Sequence, residues 1–384
     1  MKVLIAPDKF KEALTAPAAA AALADGVRRA RPDAGLVLVP VGDGGEGTGA
    51  ILAAARSARE QVVTVRDPLG RPHAARWWLT DDATRAAIVE MAEASGLALL
   101  APAERDPLRT SSYGTGELLR AAATAGAGQI LLCVGGSATV DGGAGCLQAL
   151  GWELLDDTHR PLPVPVPGGR LTEIRALRPA AGGPVRLPPV RILRDVDNRL
   201  LGPDGAAAVF GPQKGATPAA VAALEAGLRH WAGLLRRTFG REVTQWAGGG
   251  AAGGLPAGLA AAYEARLVPG FAEVAAAVGL AEKLAGADLC LTGEGRMDGQ
   301  SVLGKAAASV ARLARAFGVP TVALVGSVTV EPGSTLEDLA RAVGVERIVV
   351  ISPAGLSHAA ALAATADNLR YAAEGLLREW KPAR

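Results

Sequence analysis

The 384-residue chain is poor in the residues that build covalent or metal frameworks. It has three cysteines, Cys133, Cys146 and Cys290, odd in number and with no CxxC pair. That spacing argues against a disulfide scaffold and a structural zinc site, and it fits a reducing cytosol. The four histidines, His73, His159, His230 and His358, are scattered and suggest no metal cluster. Charge of one sign is also missing: 40 Lys and Arg against 38 Asp and Glu leave a net +2. A balance that flat offers no electrostatic footprint for nucleic acid or an anionic membrane. Long apolar runs are absent too. The long uncharged stretch from Ala121 to Val140 carries four glycines with Thr124, Gln129, Ser137 and Thr139, which suits a helix end, a buried strand and a loop better than a membrane span. Met1-Lys2 is followed by five apolar residues before Asp8, too few for a secretory leader. The expected location is the cytoplasm. Finally, there are seven lysines, and the only asparagines are Asn198 and Asn368. A lysine kept in an arginine-rich chain hints at a place that needs a compact ammonium.

What is present is globular: 49% hydrophobic and 20% charged residues, in a length that suits two domains or one large α/β domain. Lys2 to Ala6 reads as a strand buried on both faces, Thr15 with Pro17 as a helix start, and Gly35 to Val39 as a second strand. Thr48 is placed to cap the next helix. Three further strands are expected at 288–292, 320–325 and 347–351, with helices starting at Ser301 and running from Ser357 to Trp380. Five strands with helical crossovers make a complete parallel sheet, and the natural order is the flavodoxin-like 2-1-3-4-5. The middle of the chain differs. It reads as a meander of strands over 61–91, a helix from Tyr113 capped near Ser112, a strand at 130–134, a helix at 142–150, a strand at 190–193 and a long helix from Pro218. Between them, residues 161–189 hold eight prolines and read as an extended surface connection. The expectation is an α/β chain whose flavodoxin-like sheet, 1–60 and 285–384, is interrupted by an inserted mixed α/β domain, 61–284, with the active site in the cleft between them.

Several glycine-rich segments follow strands. Gly42-Asp43-Gly44-Gly45-Glu46-Gly47 fits the dinucleotide fingerprint, with Asp67 twenty residues on, but a match of this form is expected by chance about once in a chain this rich in glycine. Asp43 and Glu46 would repel a pyrophosphate there. A tight turn, or a polar loop for a Mg-nucleotide or substrate, are the other readings. Gly248, Gly250 and Gly253 match equally well. The stretch from Gly299 to Ala306 misses the P-loop pattern only where Ala306 replaces a hydroxyl residue, which leaves anion binding by Lys305 at the following helix. The segment from Gly135 to Gly143 is either a phosphate cradle or a helix start capped by Asp141. Asp195-Val196-Asp197-Asn198 offers a base and a ligand, or an Asx-turn. Phe210 to Gly215 puts Gln213 and Lys214 in a rigid turn, where a solvated lysine is the plain alternative. In a 2-1-3-4-5 sheet, ligands bind beyond the carboxyl ends of strands 1 and 3. The segments there are Pro7-Asp8-Lys9-Phe10-Lys11 and Gly293-Glu294-Gly295-Arg296-Met297-Asp298, with Asp43 after strand 2.

As a set, these segments resemble the bacterial glycerate kinase family. The resemblance is carried by Ala6 to Lys11, Gly42 to Thr48, Glu90 to Leu97, Tyr113 to Glu117, Gly135 to Gly145, Asp195 to Asn198, Phe210 to Gly215 and Gly293 to Lys305, in order over essentially the whole chain. It implies a flavodoxin-like domain interrupted by a second α/β domain, and phosphorylation of D-glycerate by ATP with Mg²⁺, typically at the 2-hydroxyl. Departures are Glu12 where the family often has Gly, Val140 where it often has Asn, and Arg199 where it often has Pro.

Phosphoryl transfer needs positioning and charge neutralisation, and the expected roles follow from that. Mg²⁺ is assigned to Asp43, Glu294 and Asp298. Phosphate and nucleotide go to Gly136, Ser137, Asp141 and Gln213, with Lys214 and Lys305 offsetting charge. Lys9, Lys11, Arg296 and Asn198 take the substrate, Lys9 being near the chemistry. Asp195 is first choice to accept the hydroxyl proton, and Asp8 second. The expected partners are D-glycerate and ATP, with neither nucleic acid nor membrane, and a homo-oligomer is compatible with this. Two rivals are an NAD-linked oxidoreductase built on Gly42 to Gly47 and a non-catalytic sugar-acid sensor.

Overall fold

The structure is a computed structural model, and it describes residues 1–299, 305–331, 333–353 and 355–381. Its strands are β1 (Lys2–Ile5), β2 (Gly35–Leu38), β3 (Arg59–Arg66), β4 (Pro72–Leu79), β5 (Ala86–Glu90), β6 (Gln129–Cys133), β7 (Trp152–Leu155), β8 (Ala176–Pro179), β9 (Val190–Arg194), β10 (Ala265–Pro269), β11 (Leu289–Met297), β12 (Thr321–Val328) and β13 (Arg347–Val350). The chain divides into two compact units, Met1–Asp43 with Phe271–Arg384, and Gly44–Gly270.

The first unit holds a five-stranded sheet of order β13-β12-β11-β1-β2, with every neighbouring pair parallel. The apolar runs dictate burial on both faces. Val322 and Leu324 pack with Leu23, Val27, Leu369 and Leu376 on one side. Ala323 and Val325, the alternate positions of β12, pack with Ala307, Ala311, Leu339 and Val343 on the other. Thr15 caps the helix Ala16–Ala30, its side chain accepting from the Ala18 amide, with Pro17 in the first turn. The stretch expected as one helix from Ser357 to Trp380 is two, His358–Ala363 and Thr365–Glu379. The helix start expected at Ser301 lies outside the described residues. The helix there is described from Ala306 to Ala316.

The second unit holds a six-stranded mixed sheet of order β10-β9-β6-β5-β4-β3, parallel from β10 to β5 and antiparallel from β5 to β3. In the stretch where a bare connection was expected, β8 forms and pairs antiparallel with β7, which precedes that stretch. Residues 161–189 are more than a surface connection, because Leu162, Val166, Leu171 and Ile174 are buried in a core with Leu224, Leu228 and Trp231.

Residues 44–60 belong to this second unit, not to the first as expected. The reason is packing. The backbone at Gly44 lies so close to that of Leu193 that a Cβ there would be 2.9 Å from the Leu193 carbonyl oxygen, and Gly44 has a left-handed φ of 106°. The helix Thr48–Ala55 is likewise fastened to the end of β5 through Glu90.

Candidate functional site

The first cluster sits at the carboxyl ends of the parallel strands of unit 1. Beyond β1 the chain stays alongside β11 and β2. The Asp8 amide donates to the Gly293 carbonyl at 2.9 Å, the Thr292 hydroxyl to the Ala6 carbonyl at 2.9 Å, and the Val41 amide to the Pro7 carbonyl at 3.0 Å. On the other side of β11, β12 comes close because position 293 has no side chain: a Cβ there would be 2.2 Å from the Leu324 oxygen. Three segments thus deliver Asp8, Asp43 and Glu294 side by side, each largely buried. Burial, then the charge of Asp43, and to a lesser degree that of Glu294, push the Asp8 carboxyl up to about 8; Lys9 opposes them. The Asp8 carboxylate also accepts the Lys9 amide at 2.7 Å. Lys305 stands 3.9 Å from Glu294 and 3.7 Å from Asp298, and Arg296 is 3.6 Å from Asp298. Lys11 and Arg296 are exposed. Among the described residues no three acidic, thiol or imidazole groups form a ready-made metal site. Two of the carboxylates expected to hold Mg²⁺, Glu294 and Asp298, therefore flank Lys305, and the third, Asp43, lies with Asp8.

The second cluster lies in unit 2, where β6 runs into the segment Gly135 to Gly143. Lys214 ends the short turn Pro212–Lys214, and its ammonium donates to the Ser137 hydroxyl and the Thr139 carbonyl, both at 2.8 Å. The residue is 2% exposed, so it is not the solvated lysine of the plain reading. Burial pulls its ammonium down to about 7 against the opposing charge of Asp141. The Thr110 hydroxyl donates to the Ala138 carbonyl at 2.9 Å, and the Ala138 amide to the Ser95 carbonyl at 2.9 Å. Gln213, beside Lys214, is exposed. Gly136 has a left-handed φ of 71°, and Glu46 lies against it.

Asp141, expected at phosphate or nucleotide, is held as a structural cap, the second reading of this segment. It is fully buried. One oxygen accepts from the Ser112 amide at 2.7 Å, the Ser112 hydroxyl at 2.7 Å and the Gly145 amide at 3.2 Å, and the other accepts from the Gly143 amide at 3.1 Å. Four donors, three of them on one oxygen, hold that carboxylate in place. Burial raises its pKa, and these hydrogen bonds oppose the rise. Ser112, expected to cap its own helix, instead turns its hydroxyl to Asp141. Asp195 is exposed just past the end of β9. Asn198 donates its side-chain amide to the Asp204 carbonyl at 2.8 Å and accepts the Gly250 amide on its own carbonyl at 2.9 Å, so it serves as a loop anchor.

The dinucleotide alternative finds no support in this geometry. The amides of Gly47 and Gly49, where a pyrophosphate would sit, already donate to the buried Glu90 carboxylate. Asp67, the acid expected at a ribose, instead accepts the Leu69 and Arg71 amides at 2.9 Å and pairs with the Arg71 guanidinium in the turn between β3 and β4. The second fingerprint is also a packing feature. A Cβ at Gly250 would be 2.1 Å from the Arg199 oxygen and one at Gly253 would be 2.0 Å from the Thr139 oxygen. Glu90 and Thr139 are organising residues whose roles sequence reasoning missed. Glu90 stood in a recognised motif, but no local pattern joins it to Gly49.

The sequence model of the glycerate kinase family matches residues 3–381. A glycerate kinase of Halalkalibacterium halodurans is 44% identical over 326 residues, 85% of each chain. A glycerate 2-kinase of Escherichia coli K12 is 42% identical over 338 residues, 87% of each chain. The crystal structure of a protein named glycerate kinase 2 from Salmonella typhimurium LT2 superposes with a TM-score of 0.78 at 39% identity, covering 98% of this chain and 97% of that one. The chain is a kinase and belongs to the glycerate kinase family.

Proposed function

We propose that this enzyme transfers the terminal phosphoryl group of Mg-ATP to a hydroxyl of D-glycerate in the cytoplasm, with 2-phosphoglycerate as the favoured product. The family assignment supports glycerate as acceptor. The observation that carries the nucleotide half is the buried acidic cluster of Asp8, Asp43 and Glu294 at the carboxyl edge of a parallel sheet, with Lys305 beside it. We read that sheet as flavodoxin-like, in which the strand ends form the ligand-binding edge.

Magnesium enters this reading as part of the co-substrate. It is a small hard cation that is usually held by one or two carboxylates plus phosphate oxygens, so Asp43, Glu294 and Asp298 need not form a complete cage. Lys305 then shifts from its carboxylate partners toward phosphate charge. Lys9, Lys11 and Arg296 supply cations for the glycerate carboxylate. Asp195 accepts the hydroxyl proton; Asp8, crowded by two like charges, is second choice and is better placed to share the metal's charge. The backbone of Gly136 and Ser137 contributes donors to phosphate. Phosphoryl transfer needs little else from the protein.

A coupled assay of ADP release with D-glycerate, L-glycerate and other small hydroxy acids tests the reading. Phosphorus NMR of the product then places the new ester. A sensor would bind glycerate and release no ADP.

A further inference from the structure

Lys214 is a buried ammonium whose direct contacts are two neutral acceptors, the Ser137 hydroxyl and the Thr139 carbonyl, each at 2.8 Å. An ammonium can only donate, so the Ser137 oxygen must accept from it, and the Ser137 proton must point elsewhere. Among the described residues no protein acceptor takes that proton. The surroundings leave little room for another arrangement. The Leu97 amide donates to the Gly136 carbonyl at 2.8 Å, and the Ala138 amide and carbonyl are both engaged. Lys214 is fixed in turn by Gly215, whose φ of 95° brings it so close to Arg105 that a Cβ would be 2.0 Å from the Arg105 oxygen. The charged group that acts on it is Asp141, itself held by four donors. Ser137 itself is 8% exposed, at the rim of this polar layer.

We infer that the Ser137 hydroxyl is a hydrogen-bond donor to a substrate oxyanion, and that Lys214 is the positioning residue that turns that hydroxyl outward. Hydrogen bonds in a chain polarise one another, so an oxygen that accepts from an ammonium becomes a stronger donor through its own proton. Lys214 then acts on the anion through Ser137 and the loop, not as its direct counter-ion. The inference deepens the proposed function and rests on that reading only for the identity of the anion, a terminal phosphate.

The test uses the whole chain labelled with ¹⁵N at lysine Nζ. With seven lysines in the sequence, the spectrum is simple, and loss of one signal in Lys214→Met assigns it. Inorganic pyrophosphate is the probe. It should shift the Lys214 Nζ signal in the unaltered chain. Ser137→Ala should weaken pyrophosphate binding about 10-fold or more, the usual effect of losing a hydrogen bond to a charged group, and abolish that shift. Ser137→Thr, which keeps the hydroxyl, should stay within about threefold. A Lys214 signal indifferent to pyrophosphate, or Ser137→Ala binding as tightly as the parent, overturns the inference. Because the readout is binding, failure of the unaltered chain to release ADP from ATP in the presence of glycerate would count against the proposed function and leave this result standing.

Discussion

The Glu90 carboxylate accepts the amide of Gly47 at 3.2 Å and that of Gly49 closer still, and so closes the start of the helix Thr48–Ala55. A buried acid at a helix N-terminus meets donors that would otherwise go unsatisfied, and it faces the positive end of the helix dipole. Removing it strands both amides. Glu90→Ala is expected to destabilise the protein by about 2–4 kcal/mol, measured by urea denaturation, the range for losing charged hydrogen bonds in a buried place. NAD should give no thermal shift, since that helix start is occupied by protein.

Glu12 has a φ of 65°, in the left-handed region, and it stands where the family often has glycine. For a non-glycine residue that conformation costs roughly 1 kcal/mol. Glu12→Gly should therefore stabilise the chain by up to about 1 kcal/mol, offset in part by greater freedom of the unfolded state. An unchanged or lowered denaturation midpoint would mean that the Glu12 side chain contributes more than its backbone costs.

Asp8 makes the stability depend on pH with a definite sign. Its folded value is raised to about 8 from an ordinary 3.8, so the folded protein holds a proton that the unfolded chain has lost. That contribution is fully present below the unfolded value and is lost as pH rises toward and through about 8. Asp8→Asn keeps the shape and removes the charge. At pH 9 the variant should melt several degrees higher than the parent, and the gap should shrink as pH falls below the folded value. An equal gap at all pH values would contradict the burial-and-repulsion account.

Asp195→Asn is expected to lower kcat about 10²–10⁴-fold, the usual contribution of a general base, with thermal stability unchanged because the side chain is exposed. A variant with near-normal turnover would move the base to another residue, and Asp8→Asn assayed alongside identifies the second choice.

The parts of the fold legible in the sequence were those set by local pattern. Apolar runs marked β1, β2, β11, β12 and β13, and Thr15 with Pro17 marked a helix start. What was not legible depended on contacts between distant segments. Residues 44–60 join the second unit because Gly44 meets Leu193 and Gly49 meets Glu90. β10 was missed because the five residues Ala265–Pro269 show weak alternation and gain their place only by pairing with β9. The same division holds at the site. The acidic and cationic residues past β1 and in the last half of β11 were readable from strand order, and Asp8, Asp43 and Glu294 do share one cluster. The capping role of Asp141 and the burial of Lys214 could not be told from their alternatives, because each depends on partners tens of positions away.

The central claim is that the acidic cluster of unit 1 serves a magnesium nucleotide used to phosphorylate glycerate. Its most direct test is the rate of ADP release from Mg-ATP with D-glycerate, compared between the parent and Asp43→Asn. The account predicts glycerate-dependent ADP release by the parent and a loss of at least about 100-fold in kcat/KM for the variant, as expected when charge that stabilises phosphoryl transfer is removed. ADP release that is undiminished in Asp43→Asn, or that ignores glycerate in the parent, would contradict it.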